Sequence, residues 1–288
     1  MRFHHWGTQL LTTYRIRLKM TIMLNLLATT AWLTTWWLIS SRLRERLRGN
    51  IPQHRQLLIG VWSGSLLLHG GAVLAAVLQP SGIVINFATA SSVVMWLCNG
   101  LLFATMLHRP LETLGIVVVP FTLSAMLMPL LESHHSSSLS LNTGLGIHIF
   151  TSLLAYSMLT LAALQALLLA LQNKHLHNHH PGGLIKTLPP LQDMESLLFK
   201  LIVLGVVLLS GGLLSGALYV DNLFSQHLVH KTVLSIIAWC VFSALLWGHW
   251  QYGWRGRIAI RWTLSGFFLL MLAFFGSKFV LEFLVNPA

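Results

Sequence analysis

The sequence predicts an all-α fold, a polytopic transmembrane helical bundle of about eight spanning helices, and three observations carry that prediction. Hydrophobic residues fill 55% of the 288 positions and charged residues only 9%, with a mean hydropathy of +0.71, too apolar for a soluble domain of this length. Apolar runs recur near 21–40, 57–78, 89–108, 111–131, 146–171, 199–220, 231–248 and 262–281, each close to the roughly 20 residues that cross hydrocarbon as a helix. No strand-like alternation competes with them. Lipid satisfies no backbone hydrogen bond, so runs this continuous exclude a closed barrel.

Taken in order, the runs are punctuated by cations that set their direction. The first is followed by Arg42, Arg44, Arg46, Arg48 and Arg55, and the third by Arg109. Lys174 and Lys186 follow the fifth, Lys200 opens the sixth, and Arg255, Arg257 and Arg261 lie between the seventh and eighth. On the other side stand only Lys231 and Lys278. Short loops rich in Lys and Arg stay cytoplasmic, so eight spans place both termini outside. Arg2, Arg15, Arg17 and Lys19 oppose that orientation. A start at Met20 or Met23 reconciles them, which makes residues 1–19 an overextended amino terminus and 20–288 a single transmembrane domain. The first run lacks an Ala-x-Ala-like cleavage site, and seven more follow it, so a removed signal peptide is not expected.

The formal charge of +11 sits beside the spans, where it reports topology and attraction to anionic lipid, not nucleic-acid binding. The Arg-rich stretch 42–48 reads as a juxtamembrane anchor. Trp36, Trp37, Trp62, Trp247, Trp250, Trp254 and Trp262 read as indoles of the inner interface.

The chemistry available is narrow. Cys98 and Cys240 stand in separate spans without a Cys-x-x-Cys or Cys-x-x-Cys-His, which excludes dithiol redox work and covalent heme attachment. The seven carboxylates, Glu45, Glu112, Glu132, Asp193, Glu195, Asp221 and Glu282, fall at helix ends or in loops. Ion-coupled carriers place such groups near the bilayer midplane. Phosphate-loop and His-Glu-x-x-His motifs are absent from the sequence, which removes ATP hydrolysis and zincin proteolysis.

Histidine is the residue type left to carry function. His69, followed by Gly70 and Gly71, lies about a dozen residues into the second span and therefore in its outer half. It reads either as a packed histidine bonded to a neighbouring helix or as a ligand, with the glycines admitting a flat ring or another helix. His148 and His230 stand at the outer starts of the fifth and seventh spans, where both could face one shallow cavity. Neutral imidazole is a common axial ligand of heme iron, whereas helix-end histidines also often cap or bind water. The tract containing His175, His177, His179 and His180 reads as a solvated inner linker that could take zinc or cobalt adventitiously. His134 and His135 read as outer loop, and His249 as interfacial.

Gly-Ile-His-Ile-Phe-Thr-Ser-Leu-Leu-Ala-Tyr-Ser at 146–157 resembles a helix of cytochrome c assembly proteins of the CcsA and CcmC type. His-Lys-Thr-Val-Leu-Ser-Ile-Ile-Ala-Trp at 230–239, Leu-Trp-Gly-His at 246–249 and Phe-Phe-Gly-Ser-Lys-Phe at 274–279 are similar to its later helices. The resemblance spans roughly 60 to 285 and is strongest to the HemX-like branch. It implies a multi-pass protein of the bacterial inner membrane that binds b-type heme non-covalently and holds it, or hands it over, at the periplasmic face.

In that family external histidines bind heme and present it to apocytochrome c. His148 matches the first of those positions, and His230 or His69 is the candidate for the second iron ligand. Lys231 is then a partner for a heme propionate, with Phe150, Tyr156 and Phe224 as packing neighbours. The family's tryptophan-rich surface is degenerate here, with Tyr219, Val220, Asp221 and Asn222 in its place. The implied role is a heme holder and not an enzyme, acting with cytochrome c maturation membrane proteins. The alternative reading is a non-catalytic accessory or regulatory subunit, for example in divalent-cation (magnesium or cobalt) efflux or resistance, whose partners are cation-efflux membrane proteins.

Overall fold

The computed structural model describes the backbone of residues 2–79, 82–108, 112–128, 143–177, 190–219 and 226–276. Side chains are described within 19–79, 82–107, 112–128, 143–174, 190–219 and 229–274. Among the described residues eight α-helices follow one another: α1 (Arg2–Leu47), α2 (Arg55–Val77), α3 (Phe87–His108), α4 (Gly115–Leu127), α5 (Thr143–His177), α6 (Leu191–Tyr219), α7 (Gln226–Tyr252) and α8 (Arg257–Met271). The all-α polytopic bundle is therefore what the composition dictates. The turn Leu272–Gly276 beyond α8 is π-helical.

Seven of the helices are long and apolar enough to cross a membrane, and the fourth expected span is the short one. With the 3-10 turn Glu112–Leu114 ahead of it, α4 covers Glu112–Leu127, roughly 24 Å at 1.5 Å per residue. Pro110 and Pro129 bracket it and Pro120 lies inside, and a ring that removes a helical donor discourages extension. A second difference is a pair of two-residue strands, β1 (Leu78–Gln79) and β2 (Gly82–Ile83), antiparallel with Leu78 opposite Ile83. Alternation over two residues is too short to show in a hydropathy pattern.

The core centres on α5. In its most apolar stretch 83% of residues are buried, against 17–39% in the other spans, and it packs against α3, α6 and α8. The first four helices pack on one another and reach α5 through α3, where the Cys98 thiol donates to the Ser157 carbonyl at 3.3 Å. The closest pairing is the antiparallel α5–α6 hairpin. A Cβ added at Gly205 would stand 2.6 Å from Leu159 Cδ2, and one at Gly212 3.1 Å from Ser152 Oγ. Small residues on α6 let the two backbones approach, which is how helices associate where no hydrophobic effect drives them.

At the end of α1 that the charge pattern assigns to the cytoplasm, the Arg-rich stretch divides. Arg42 and Glu112 are 6% and 5% exposed, and Arg42 Nη2 lies 3.3 Å from both Glu112 oxygens. Arg46 also binds Glu112, while Arg42 donates to the Gln53 carbonyl. Arg44 and Arg48 are exposed. The anchor reading thus holds for only half of the stretch, because alternate arginines on a helix point to opposite sides. Trp62 departs from the interfacial expectation too, being fully buried against Trp32 with ring centroids 6.4 Å apart.

Candidate functional site

The three singled-out histidines receive three different environments. His69 is completely buried in α2 between α1 and α3. The Trp32 indole donates to its Nδ1 at 3.2 Å, and its Nε2 lies 3.0 Å from Ser92 Oγ. An indole N–H can only donate, so Nδ1 accepts and the neutral ring carries its proton on Nε2, facing Ser92. Both nitrogens are engaged. Beside it, the flat ring that Gly70 admits is the Trp96 indole, 3.1 Å from where a Cβ would sit. Nothing lies within 4 Å of a Cβ at Gly71.

His148 is half-buried near the start of α5 and lies against α6. Its Nδ1 stands 2.9 Å from the Gly212 carbonyl oxygen and 3.3 Å from Ser215 Oγ, and the Ser215 hydroxyl itself donates to Gly212 at 3.0 Å. A carbonyl can only accept, so Nδ1 of the neutral ring carries the proton. Nε2 is left with a bare lone pair and has no hydrogen-bond partner among the described residues. Gly216 makes room for the ring, since a Cβ there would lie 2.9 Å from His148 Cε1. The sequence signal for this seat is the Gly212-Leu-Leu-Ser-Gly216 run on α6, a Gly-x-x-x-Gly spacing that histidine spacing alone does not lead to.

His230 is exposed, five residues into α7, and makes no hydrogen bond among the described residues. The helix that seats His148, α6, packs against both α5 and α7. His148 and His230 therefore occupy the same end of the two helices that flank α6. His69 belongs to the other half of the bundle. Among the described residues no three His, Cys, Asp or Glu side chains gather as a metal-binding group.

Other sequence expectations sort as follows. Tyr156 faces α8, with ring centroids 5.8 Å from Phe267 and 5.6 Å from Phe274, and is core instead of lining for His148. Phe150 is exposed. His249 is half-buried, stacked on Phe199 with ring centroids 3.5 Å apart and bonded through Nδ1 to the Trp254 carbonyl at 2.8 Å, so it is packed and not merely interfacial. Phe224, Val220, Asp221, Asn222, His134, His135, His179, His180 and Lys278 lie outside the described residues, as do the side chains of His175 and His177.

A protein of Escherichia coli (strain K12) named Inner membrane protein YpjD is 34% identical over 219 residues, covering 75% of this chain and 83% of its own. An uncharacterized 28.8 kDa protein of Azospirillum brasilense is 30% identical over 236 residues, covering 78% and 86%. Cytochrome c biogenesis protein CcsA of Prochlorococcus marinus (strain MIT 9515) is 28% identical over 91 residues, 31% of this chain and 29% of its own. No solved structure matches. The profile described as Cytochrome C assembly protein matches residues 60–285. Seven apolar spanning helices and a match over most of its length make this chain a multi-pass membrane member of the cytochrome c assembly protein family.

Proposed function

We propose that the protein holds heme non-covalently at the outer face of the bacterial inner membrane, with His148 as an axial iron ligand and His230 as the candidate for the second. The observation that carries this is the placement of His148 Nδ1 2.9 Å from the Gly212 carbonyl oxygen: a carbonyl can only accept, so the neutral ring gives Nδ1–H to it and leaves the Nε2 lone pair over. Metal-binding histidines are commonly held this way, the second nitrogen donating to a carbonyl or carboxylate that fixes the ring and raises its basicity. The donor set fits a heme iron, which accepts neutral imidazole nitrogen. The name of the CcsA relative refers to cytochrome c biogenesis, in agreement with this reading.

When bound, heme supplies a redox-active iron destined for an acceptor. The chain's own part is to position and to shield. Gly212 and Ser215 hold the His148 ring, Gly216 gives it space, and the apolar helices around it limit water. In this reading the protein acts as a holder and presents its cargo to cytochrome c maturation partners in the membrane.

The test is the ultraviolet-visible and pyridine hemochrome spectrum of protein purified from heme-replete cells, with His69→Ala, His148→Ala and His230→Ala variants alongside. A Soret band in the wild type that is lost or shifted in the His148 and His230 variants is expected. His69→Ala is expected to leave the band in place and to lower thermal stability instead, because it strands the buried Trp32 indole N–H at about 1–3 kcal/mol. A wild type without a Soret band after heme reconstitution overturns the reading and favours the accessory role in divalent-cation transport.

A further inference from the structure

The end of the bundle where α7 meets α8 carries a charged and aromatic surface that heme binding does not use. The connection is fixed: Gly253 and Gly256 take positive φ of 66° and 59°, Gly253 N–H donates to His249 O at 3.1 Å, and Trp254 N–H to Gly248 O at 3.1 Å. Trp254 turns inward against Trp262 with ring centroids 5.3 Å apart. Glu195 Oε1 accepts from the Gly256 N–H at 2.7 Å, so the nearby carboxylate is occupied by backbone.

Outward from this connection point Arg255, Arg257 and Arg261, all exposed and without an ion pair or hydrogen bond among the described residues. They contrast with Arg42 and Arg46, which share the Glu112 carboxylate. Arg257 and Arg261 are one turn apart on α8, about 6 Å along the axis. Counted from the turn, Arg261 stands as far into α8 as Gly248 stands back along α7, which sets its backbone near the level of Trp247 and Trp250. Those indoles and Tyr252 are 66%, 88% and 70% exposed. Aromatic rings of this kind settle at the headgroup boundary.

We propose that Arg257 and Arg261, with Arg255 beside them, form a binding site for the phosphate of an anionic phospholipid. Trp247, Trp250 and Tyr252 hold the site at headgroup depth, and the acyl chains lie along the adjoining exposed face of α7, where Cys240 and Ala244 face outward. Unneutralised guanidiniums at that depth select a headgroup with net negative charge over a zwitterionic one, by roughly five-fold per cation.

The experiment is native mass spectrometry of the detergent-purified protein mixed with equal amounts of phosphatidylglycerol and phosphatidylcholine of matched chains. The wild type is expected to retain phosphatidylglycerol preferentially. Arg257→Gln/Arg261→Gln is expected to reduce that preference roughly 25-fold, and Arg257→Lys/Arg261→Lys to keep most of it. Should the glutamine pair not elute as a monodisperse peak, Arg261→Gln alone gives the same reading at roughly five-fold. Equal retention of both lipids by the wild type, or a preference unchanged in the glutamine variants, overturns the proposal. So does displacement of the bound lipid by an acidic soluble protein, which would assign the cations to a protein partner.

Discussion

His148→Ala is expected to abolish stoichiometric heme retention, lowering affinity by more than 100-fold, while the protein is still produced and inserted. Disturbing a residue that merely orients a ligand histidine typically costs 10–100-fold in metal affinity, so removing the ligating lone pair exceeds that. The fold should survive because the ring is only half-buried and the Gly212 carbonyl keeps the Ser215 hydroxyl at 3.0 Å. Gly216→Ala provides a graded version. Its methyl would stand 2.9 Å from Cε1, so the ring must shift by a few tenths of an ångström, and a displaced Soret maximum with partial occupancy is expected. Restoration of the His148→Ala spectrum by added imidazole would separate ligation from a folding defect. An unchanged hemochrome in His148→Ala would sink the assignment.

Glu112→Gln carries the largest expected effect on stability, about 3–5 kcal/mol, which is the usual cost of breaking one partner out of a buried ion pair. The carboxylate and the Arg42 side chain are each 7% exposed, so Arg42 is left with a charge that water hardly reaches, while Arg46, at 24% exposed, keeps part of its solvation. The loss falls on the link between α1 and the 3-10 turn that leads into α4, a helix too short to count as a span. Replacing all three charges together, as Arg42→Met, Arg46→Met and Glu112→Leu, should recover most of the loss, because an apolar substitute carries no desolvation penalty. Thermal unfolding in detergent measures both. A Glu112→Gln transition within about 1 kcal/mol of wild type would mean that water solvates the cluster.

The fold was legible because its determinants are local. Seven spans follow from runs of apolar residues bracketed by arginine, glycine and proline, because helical hydrogen bonds close within a few residues; the eighth expected span, over 111–131, is instead the short α4. The burial of α5 was not legible, since its run is no more apolar to the eye than that of α6. Its central place comes from packing against α3, α6 and α8 together. Trp62 was misplaced for a related reason: an indole near a span end reads as interfacial until the neighbours that cover it, Trp32 and the Gly115 region, are known.

The candidate site divides in the same way. Sequence by itself determined the class of protein, the depth of His69, His148 and His230 along their helices, and the placement of the latter two at one end. Spacing along a helix sets depth directly. Only the tertiary structure decided which imidazole keeps a free lone pair. The partners that saturate His69 come from 37 residues earlier and 23 later in the chain, and those that lock His148 come from 64 and 67 residues away. A ring nitrogen's protonation follows from whatever donor or acceptor packing sets against it, and that neighbour exists only once distant helices are brought together.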